Sequence, residues 1–491
     1  MRKCAIAHQL CLELVSGDLS VNVRAVMGFA LGPVAAALFG FITLPVVTWF
    51  YPAEDIGRLA MLQVAVNLSL LVFCLGLDQA YVREYHGHHN REALFKTAMT
   101  PGLLFLGLFT VLVLLNPTFL SRILFDSTNR TLAGMVLICV LSAFALRFLS
   151  LVLRMEERGL AFSVGQFLPK LFFLLLIGVY AVSGRGHDIQ ALLFAHTLSL
   201  FSVALLFLVL RWRICTDAVK QKVDLAELGA MLRYGFPLIF AGLAFWGLTA
   251  SDKILLRALS NLEQLGIYSV AVSFAGAALV LKMVFQTLWA PQVYKWEQEG
   301  GASKRIQVMN DYMLIVVSML FCLIGSVSWS LDYLLPAGYE QVKLILVSCL
   351  GYPLLLVLSE TTAIGISLAR KTRYSLAVAL VAFTVNVGLN LLLIPAYEAA
   401  GAAVATIVSF WLFFILRAEC ACRVWQPFPR LEQYLTITVL TVLAVLTTLY
   451  GDRLGWLTHV FWAGLFVVFF AFYAKRISTL LTLLARKTGR A

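Results

Sequence analysis

The chain is 491 residues long, 61% hydrophobic and only 13% charged, with a mean hydropathy of +0.89. That balance excludes an array of soluble domains and makes the membrane-spanning helix the unit of organisation. The net charge of +12 lies mainly in turns between apolar runs, where it labels topology and meets anionic headgroups, so it calls for no nucleic-acid partner.

Taken in chain order, residues 1–23 form a cytoplasmic extension. They begin Met1-Arg2-Lys3 like a secretory n-region, but His8, Gln9 and Glu13 interrupt the apolar stretch and no small-residue cleavage site follows, which argues against a cleaved signal peptide. About 20 apolar residues cross the hydrocarbon core as a helix, and on that measure fourteen spans are predicted. They lie at about 24–49, 59–80, 97–119, 131–153, 162–182, 189–210, 233–257, 266–290, 309–331, 342–367, 375–394, 401–417, 434–450 and 456–474. Residues 211–232 read as a cytoplasmic linker and 475–491 as a basic cytoplasmic tail. The nine cysteines are scattered and match neither a disulfide framework nor a four-ligand zinc site, so buried thiols are the better reading.

The turns alternate sharply in charge. One set, running from Arg2 through Arg83, Arg211, Lys295, Arg370 and Arg417 to Arg490, carries 27 lysines and arginines, and the opposite set carries 7. The positive-inside rule then puts both termini in the cytoplasm.

Two stretches share an order of features at a spacing of 209 residues: Glu54-Asp55-Ile56-Gly57 and Glu263-Gln264-Leu265-Gly266. Each follows a long helix with a proline in its cytoplasmic half, Pro33 and Pro237, and Tyr85 falls opposite Tyr294. An even number of intervening spans makes the copies parallel, related by an axis along the membrane normal. Residues 24–210 and 233–418 become two six-helix bundles around a central cavity, and residues 419–474 supply two additional helices.

Two six-helix bundles plus two spans resemble the polysaccharide-flippase branch of the multidrug/oligosaccharidyl-lipid/polysaccharide exporter superfamily. The resemblance rests on Gly32-Pro33, on Tyr51-Pro52-Ala53-Glu54-Asp55-Ile56-Gly57, and on Leu75-Gly76-Leu77-Asp78-Gln79-Ala80-Tyr81-Val82-Arg83-Glu84-Tyr85. In the second half it rests on Asp252-Lys253-Ile254-Leu255-Leu256 and Leu265-Gly266-Ile267-Tyr268-Ser269. It implies an undecaprenyl-diphosphate-linked oligosaccharide as substrate, handled by alternating access in the bacterial cytoplasmic membrane, alongside a polysaccharide polymerase and other assembly proteins. It also implies that spans 1 and 8 face one another at a bundle seam, with Lys282 at a lateral gate.

No phosphate-binding G-x-x-x-x-G-K-[ST] loop occurs, so the chain does not itself hydrolyse ATP. No turn opposite the basic set is longer than roughly a dozen residues, too little for the catalytic domain of a membrane glycosyltransferase or polymerase. An enzyme is not expected. His86, His88 and His89 have metal-ligand chemistry but read as a solvated loop.

Ionisable groups inside a span cost roughly 2.5 to 3.5 kcal/mol on insertion scales and so mark candidate sites. Arg147, Lys170 and Lys282 fall at a similar depth in spans 4, 5 and 8, at the level where an anionic headgroup would enter from the cytoplasm. Arg can meet a diphosphate with two parallel hydrogen bonds and Lys with a mobile point charge. The alternative is snorkelling or ion pairing, for Lys282 with Glu360 of span 10, and Lys170 after Pro169 could simply serve a kink. Asp78 and Arg83 close the cytoplasmic end of span 2, with helix pairing and interfacial anchoring set against gating.

A second, oxygen-rich level joins Asp252 of span 7, Asn386 and Asn390 of span 11 and Thr406 of span 12. The asparagines are four apart and share a helix face. One carboxylate with amide and hydroxyl oxygens suits sodium, and the resemblance implies a sodium site among these helices. Structural hydrogen bonding, pairing of Asp252 with Lys253, and proton coupling at Asp252 or Glu360 stay open. No other metal and no cofactor is expected. Pro33 and Pro237 would let gating helices bend. A cation-coupled multidrug exporter and a lipid II flippase are the competing functions; an exporter of organic cations should present carboxylates and aromatic faces, whereas the intramembrane excess here is cationic.

Overall fold

The computed structural model describes residues 23–184, 186, 188–300 and 302–487, and among these every regular element is helical. In chain order the helices are α1 (Val23–Phe50), α2 (Ala53–Cys74), α3 (Leu77–Glu84), α4 (Arg91–Leu115), α5 (Pro117–Phe125), α6 (Arg130–Met155) and α7 (Gly159–Ser183). Then come α8 (Ile189–Leu210), α9 (Trp212–Lys220), α10 (Leu225–Leu259), α11 (Leu262–Gly276), α12 (Leu279–Gln298) and α13 (Ala302–Val327). The remainder are α14 (Leu331–Leu334), α15 (Val342–Cys349), α16 (Gly351–Leu368), α17 (Arg373–Val424), α18 (Leu431–Leu454) and α19 (Leu457–Lys487).

Thirteen helical stretches among the described residues are long and apolar enough to cross a membrane. The 52-residue α17 crosses twice. At about 1.5 Å per residue it would be far too long for a single crossing of roughly 30 Å. Glu398, at φ 48° and ψ −123°, breaks it after Pro395. The halves fold back on each other so closely that a Cβ on Gly401 would lie 2.5 Å from the Leu393 carbonyl. The fourteen spans expected from the apolar pattern are therefore present. Span 8 is interrupted at Gly276-Ala277-Ala278, where the amides of Ala277 and Ala278 bond three residues back instead of four. Span starts are capped by side chains as their composition dictates: Asn90 accepts from the Ala93 amide, Asn129 from Thr131, Asp188 from Ala191, and Asp224 from Ala226 and Glu227.

Residue contacts divide the chain into two compact units, Arg24–Val270 and the part from Ala271 onward. They group α10 and most of α11 with the first unit, whereas the repeat counts span 7 as the start of the second bundle. The reason is local: α10 packs along α2, α3 and α4. At its centre the first unit has α6, which buries Val136, Cys139, Phe144 and Phe148 against α2 and α8. α1 runs beside α7, with the Gly32 amide donating to Ser163 Oγ at 3.0 Å and Phe39 stacked on Phe167 at 5.9 Å.

The second unit is built around α16, the most enclosed span, which packs on α17, α12 and α13. Gly351 permits this closeness, since a Cβ there would meet Ile407 at 2.5 Å. The two last spans dock on the same unit. Ser348 and Thr448 join α15 to α18 at 2.7 Å, the Trp462 indole donates to Thr447 at 2.9 Å, and Gly325 of α13 lies under the Trp462 ring.

The segment expected as a plain linker, 211–232, contains α9 and the start of α10. Lys96 donates to the carbonyls of Val219 and Gln221 at 2.7 and 2.5 Å, closing the C-terminal end of α9 against α4. Residues 1–22, with the expected N-terminal extension, lie outside the described residues, as do residues 488–491 at the end of the basic tail.

Candidate functional site

Two clusters of intramembrane charge emerge, one in each unit, and they are built alike. In the first unit, Arg147 on α6 reaches Asp78 at the start of α3, donating to one carboxylate oxygen from Nε at 3.1 Å and from a terminal nitrogen at 2.5 Å. The left-handed turn at Leu75 and Gly76 restarts the helix there and turns Asp78 inward. Asp78 is buried, and Arg147 keeps 43% of its side chain exposed. Lys170 on α7 stands across Gly40 of α1, where a Cβ would come within 3.2 Å of its ammonium. Among the described residues Lys170 has neither a carboxylate nor a hydrogen-bond acceptor.

In the second unit, Glu360 on α16 accepts from Arg417 at 2.8 Å and from the side chain of Gln286, with Lys282 one turn earlier on α12 acting on it electrostatically. Arg417 also donates to Ser359 Oγ at 2.9 Å, and the Trp289 indole donates to the Glu360 carbonyl at 3.1 Å. Arg417, grouped above with the cations of the basic turns, lies within α17, and the hydrogen-bonded partner of Glu360 is this residue, with Lys282 its neighbour. Only the fold could reveal that, because Arg417 and Glu360 are 57 residues apart.

The oxygen-rich group divides between the units. Asp252 accepts the hydroxyl hydrogen of Tyr268 at 2.7 Å, and both residues are buried. Asn390 donates to the carbonyl and side-chain oxygens of Asn386 at 2.9 and 3.0 Å, and the Thr406 hydroxyl donates to the Ala402 carbonyl. Asn386, Asn390 and Thr406 are all buried in the second unit. Within the second unit, Asn386, Asn390 and Thr406 present amide and hydroxyl oxygens of the kind that suit a small hard cation.

Arg83 lies over the Tyr234 ring at 4.4 Å, which makes it a contact between α3 and α10. In the histidine loop His86 and His89 are exposed, while His88 Nε2 is 2.9 Å from Glu227 on α10 and its Nδ1 accepts from the Asn90 amide at 3.1 Å. Among the described residues no three His, Cys, Asp or Glu side chains converge on a metal-sized site. Pro33 and Pro237 sit inside α1 and α10.

Fourteen apolar spans with cations inside them define a multi-pass all-helical membrane fold. Its architecture matches solved transporters at low sequence identity. A lipid II flippase MurJ in an inward closed conformation aligns with a TM-score of 0.65 at 13% identity, covering 91% of this chain and 99% of that one. An inward-facing MATE-family multidrug resistance transporter aligns at 0.54 and 13%, covering 84% and 95%. The Vibrio cholerae MATE transporter VcmN, in a mutant form, aligns at 0.54 and 13%, covering 86% and 98%. No curated protein sequence matches the chain. Residues 23–292, more than half of the chain, match the family model described as polysaccharide biosynthesis protein, and the chain belongs to that family.

Proposed function

We propose that the protein is a flippase, not an enzyme, that carries undecaprenyl-diphosphate-linked oligosaccharide repeat units from the inner to the outer leaflet of the bacterial cytoplasmic membrane. Its products would feed assembly of a surface polysaccharide: O-antigen, capsule or exopolysaccharide. In this reading both termini are cytoplasmic, the lipid tail stays in the bilayer, and the sugars cross by alternating access.

The observation that carries the proposal is the charge balance of the two clusters. Asp78, Arg147 and Lys170 hold one more cation than carboxylate, and so do Glu360, Arg417 and Lys282. Each unit thus offers net positive charge at membrane depth, where an uncompensated cation is costly unless an anion visits. The carboxylates preorient the arginines, and the lysines supply the mobile charge. Exporters of organic cations call for the opposite sign. Asn386, Asn390 and Thr406 of the second unit would take sodium as coupling ion, with protonation of Asp252 or Glu360 as the other coupling mode.

Deletion of the gene followed by lipid-linked intermediate analysis with a sidedness assay tests the proposal. The expected result is undecaprenyl-diphosphate oligosaccharide accumulating on the cytoplasmic face. Normal export would sink the proposal, and accumulation of lipid II instead would assign the chain to peptidoglycan synthesis.

A further inference from the structure

The two strings that share an order of features at a spacing of 209 residues touch each other. A Cβ on Gly57 would lie 2.0 Å from the Leu262 carbonyl oxygen, and a Cβ on Gly266 would lie 1.8 Å from the Ala53 carbonyl oxygen. Leu262 precedes Gly266 by four residues and Ala53 precedes Gly57 by four. The contact is therefore reciprocal, and the repeat spacing of 209 residues maps each half of it onto the other. Both helices meet backbone to backbone at their first turns, with glycine Cα hydrogens facing carbonyl oxygens. Any side chain at either position would force the helices apart by more than an ångström.

A second backbone contact, at the other end of α2, is made with the preceding helix α10. A Cβ on Gly76 would lie 2.3 Å from the Gly235 carbonyl oxygen, and one on Gly235 would lie 2.8 Å from Gly76. Gly57 and Gly76 are separated by about 28 Å of helix at 1.5 Å per residue, close to the thickness of the hydrocarbon core. Arg83 over Tyr234 and His88 against Glu227 reinforce the second meeting point, which is on the side of the basic turns. The Gly57 and Gly266 meeting point is on the opposite side, beside the network in which Arg58 holds Glu54, Asp55 and the Phe125 carbonyl.

We propose that the Gly57–Gly266 crossing is a clasp that shuts the transport route on the side opposite the basic turns, and that residue size at 57 and 266 sets how much of the closed form is populated. The proposal rests on the transporter reading but not on its substrate. A backbone clasp suits a gate because it seals without side chains to reorganise: it separates as one rigid contact and closes again in a single register. Bulk added at either glycine acts on the closed form alone, since in the separated form the new methyl group meets nothing.

Ala60 reports on the clasp. It lies one turn past Gly57 on the same helix face and is only 3% exposed. In full-length protein with its native cysteines replaced, Ala60→Cys is titrated with a membrane-impermeant maleimide added to the side opposite the basic turns. Thr128→Cys, in an exposed loop, serves as the accessible control. Ala60→Cys should react far more slowly than the control in the native-glycine protein. Adding Gly266→Ala, or separately Gly57→Ala, should speed its labelling roughly tenfold or more by moving population to the open form.

Unchanged labelling in monodisperse, helical Gly266→Ala and Gly57→Ala proteins would overturn the proposal. Where neither variant accumulates, the native-glycine measurement decides: labelling of Ala60→Cys as fast as the control overturns the clasp, and labelling far slower than the control supports it. Because the readout is accessibility, a wrong substrate assignment leaves the glycine result intact.

Discussion

Arg147 spends two of its hydrogen bonds on one oxygen of Asp78, 69 residues earlier in the chain, while Lys170 at similar depth has no acid to bind among the described residues. The two cations that sequence places together thus differ in kind. One is fixed by the fold and the other is held without compensation.

That difference can be measured. Arg147→Gln leaves a buried carboxylate without its cation and should lower stability by about 1 to 3 kcal/mol. Lys170→Gln removes a cation with no partner, so thermal unfolding should be unchanged or shifted upward. Both should reduce flipping in reconstituted vesicles. A loss of stability in Lys170→Gln equal to that in Arg147→Gln would mean that Lys170 is structural.

Glu360 faces two cations at once, Arg417 and Lys282. Glu360→Gln should therefore destabilise the second unit by leaving two like charges together. Lys282→Gln should recover part of that loss, although it brings no gain in the native background. A double-mutant cycle of Glu360 with Arg417 should give a coupling of roughly 0.5 to 3 kcal/mol by thermal or denaturant unfolding.

Sodium coupling predicts ligand-linked stability. Replacing choline chloride with sodium chloride should raise Tm, by an increment equivalent to about 2.7 kcal/mol when sodium reaches a hundred times its Kd. Asn386→Ala and Asn390→Ala should each diminish that shift. Equal shifts in native and variant proteins would assign these oxygens to helix packing alone.

Pro33 interrupts the hydrogen-bond ladder of α1 next to Gly32, whose amide turns to Ser163. Pro33→Ala should leave membrane insertion and expression intact while slowing transport, because the ladder is repaired and bending becomes harder. Full transport by this variant would remove the hinge role.

Much of this architecture was legible in one dimension. Hydrocarbon admits backbone only as helix and excludes charge, so spans and the charge asymmetry of the turns appear directly as runs of residue type. The two strings that the repeat reading paired are in mutual contact at Gly57 and Gly266. The reversal at Glu398 within α17 was legible too, since a break in the apolar run separates spans 11 and 12. The interruption of span 8 at Gly276-Ala277-Ala278 was not, because small apolar residues look the same in a continuous helix.

The partners of the intramembrane charges were decided only by tertiary structure. Sequence determined that Arg147, Lys170, Lys282, Asp78 and Glu360 are expensive where they are, but an ion pair depends on which helices become neighbours and on the rotation of each about its axis. A residue at the edge of an apolar run shows this most clearly. Arg417 looks like a turn cation until packing of α17 on α16 carries it to Glu360, where desolvation of both charges makes the pairing obligatory.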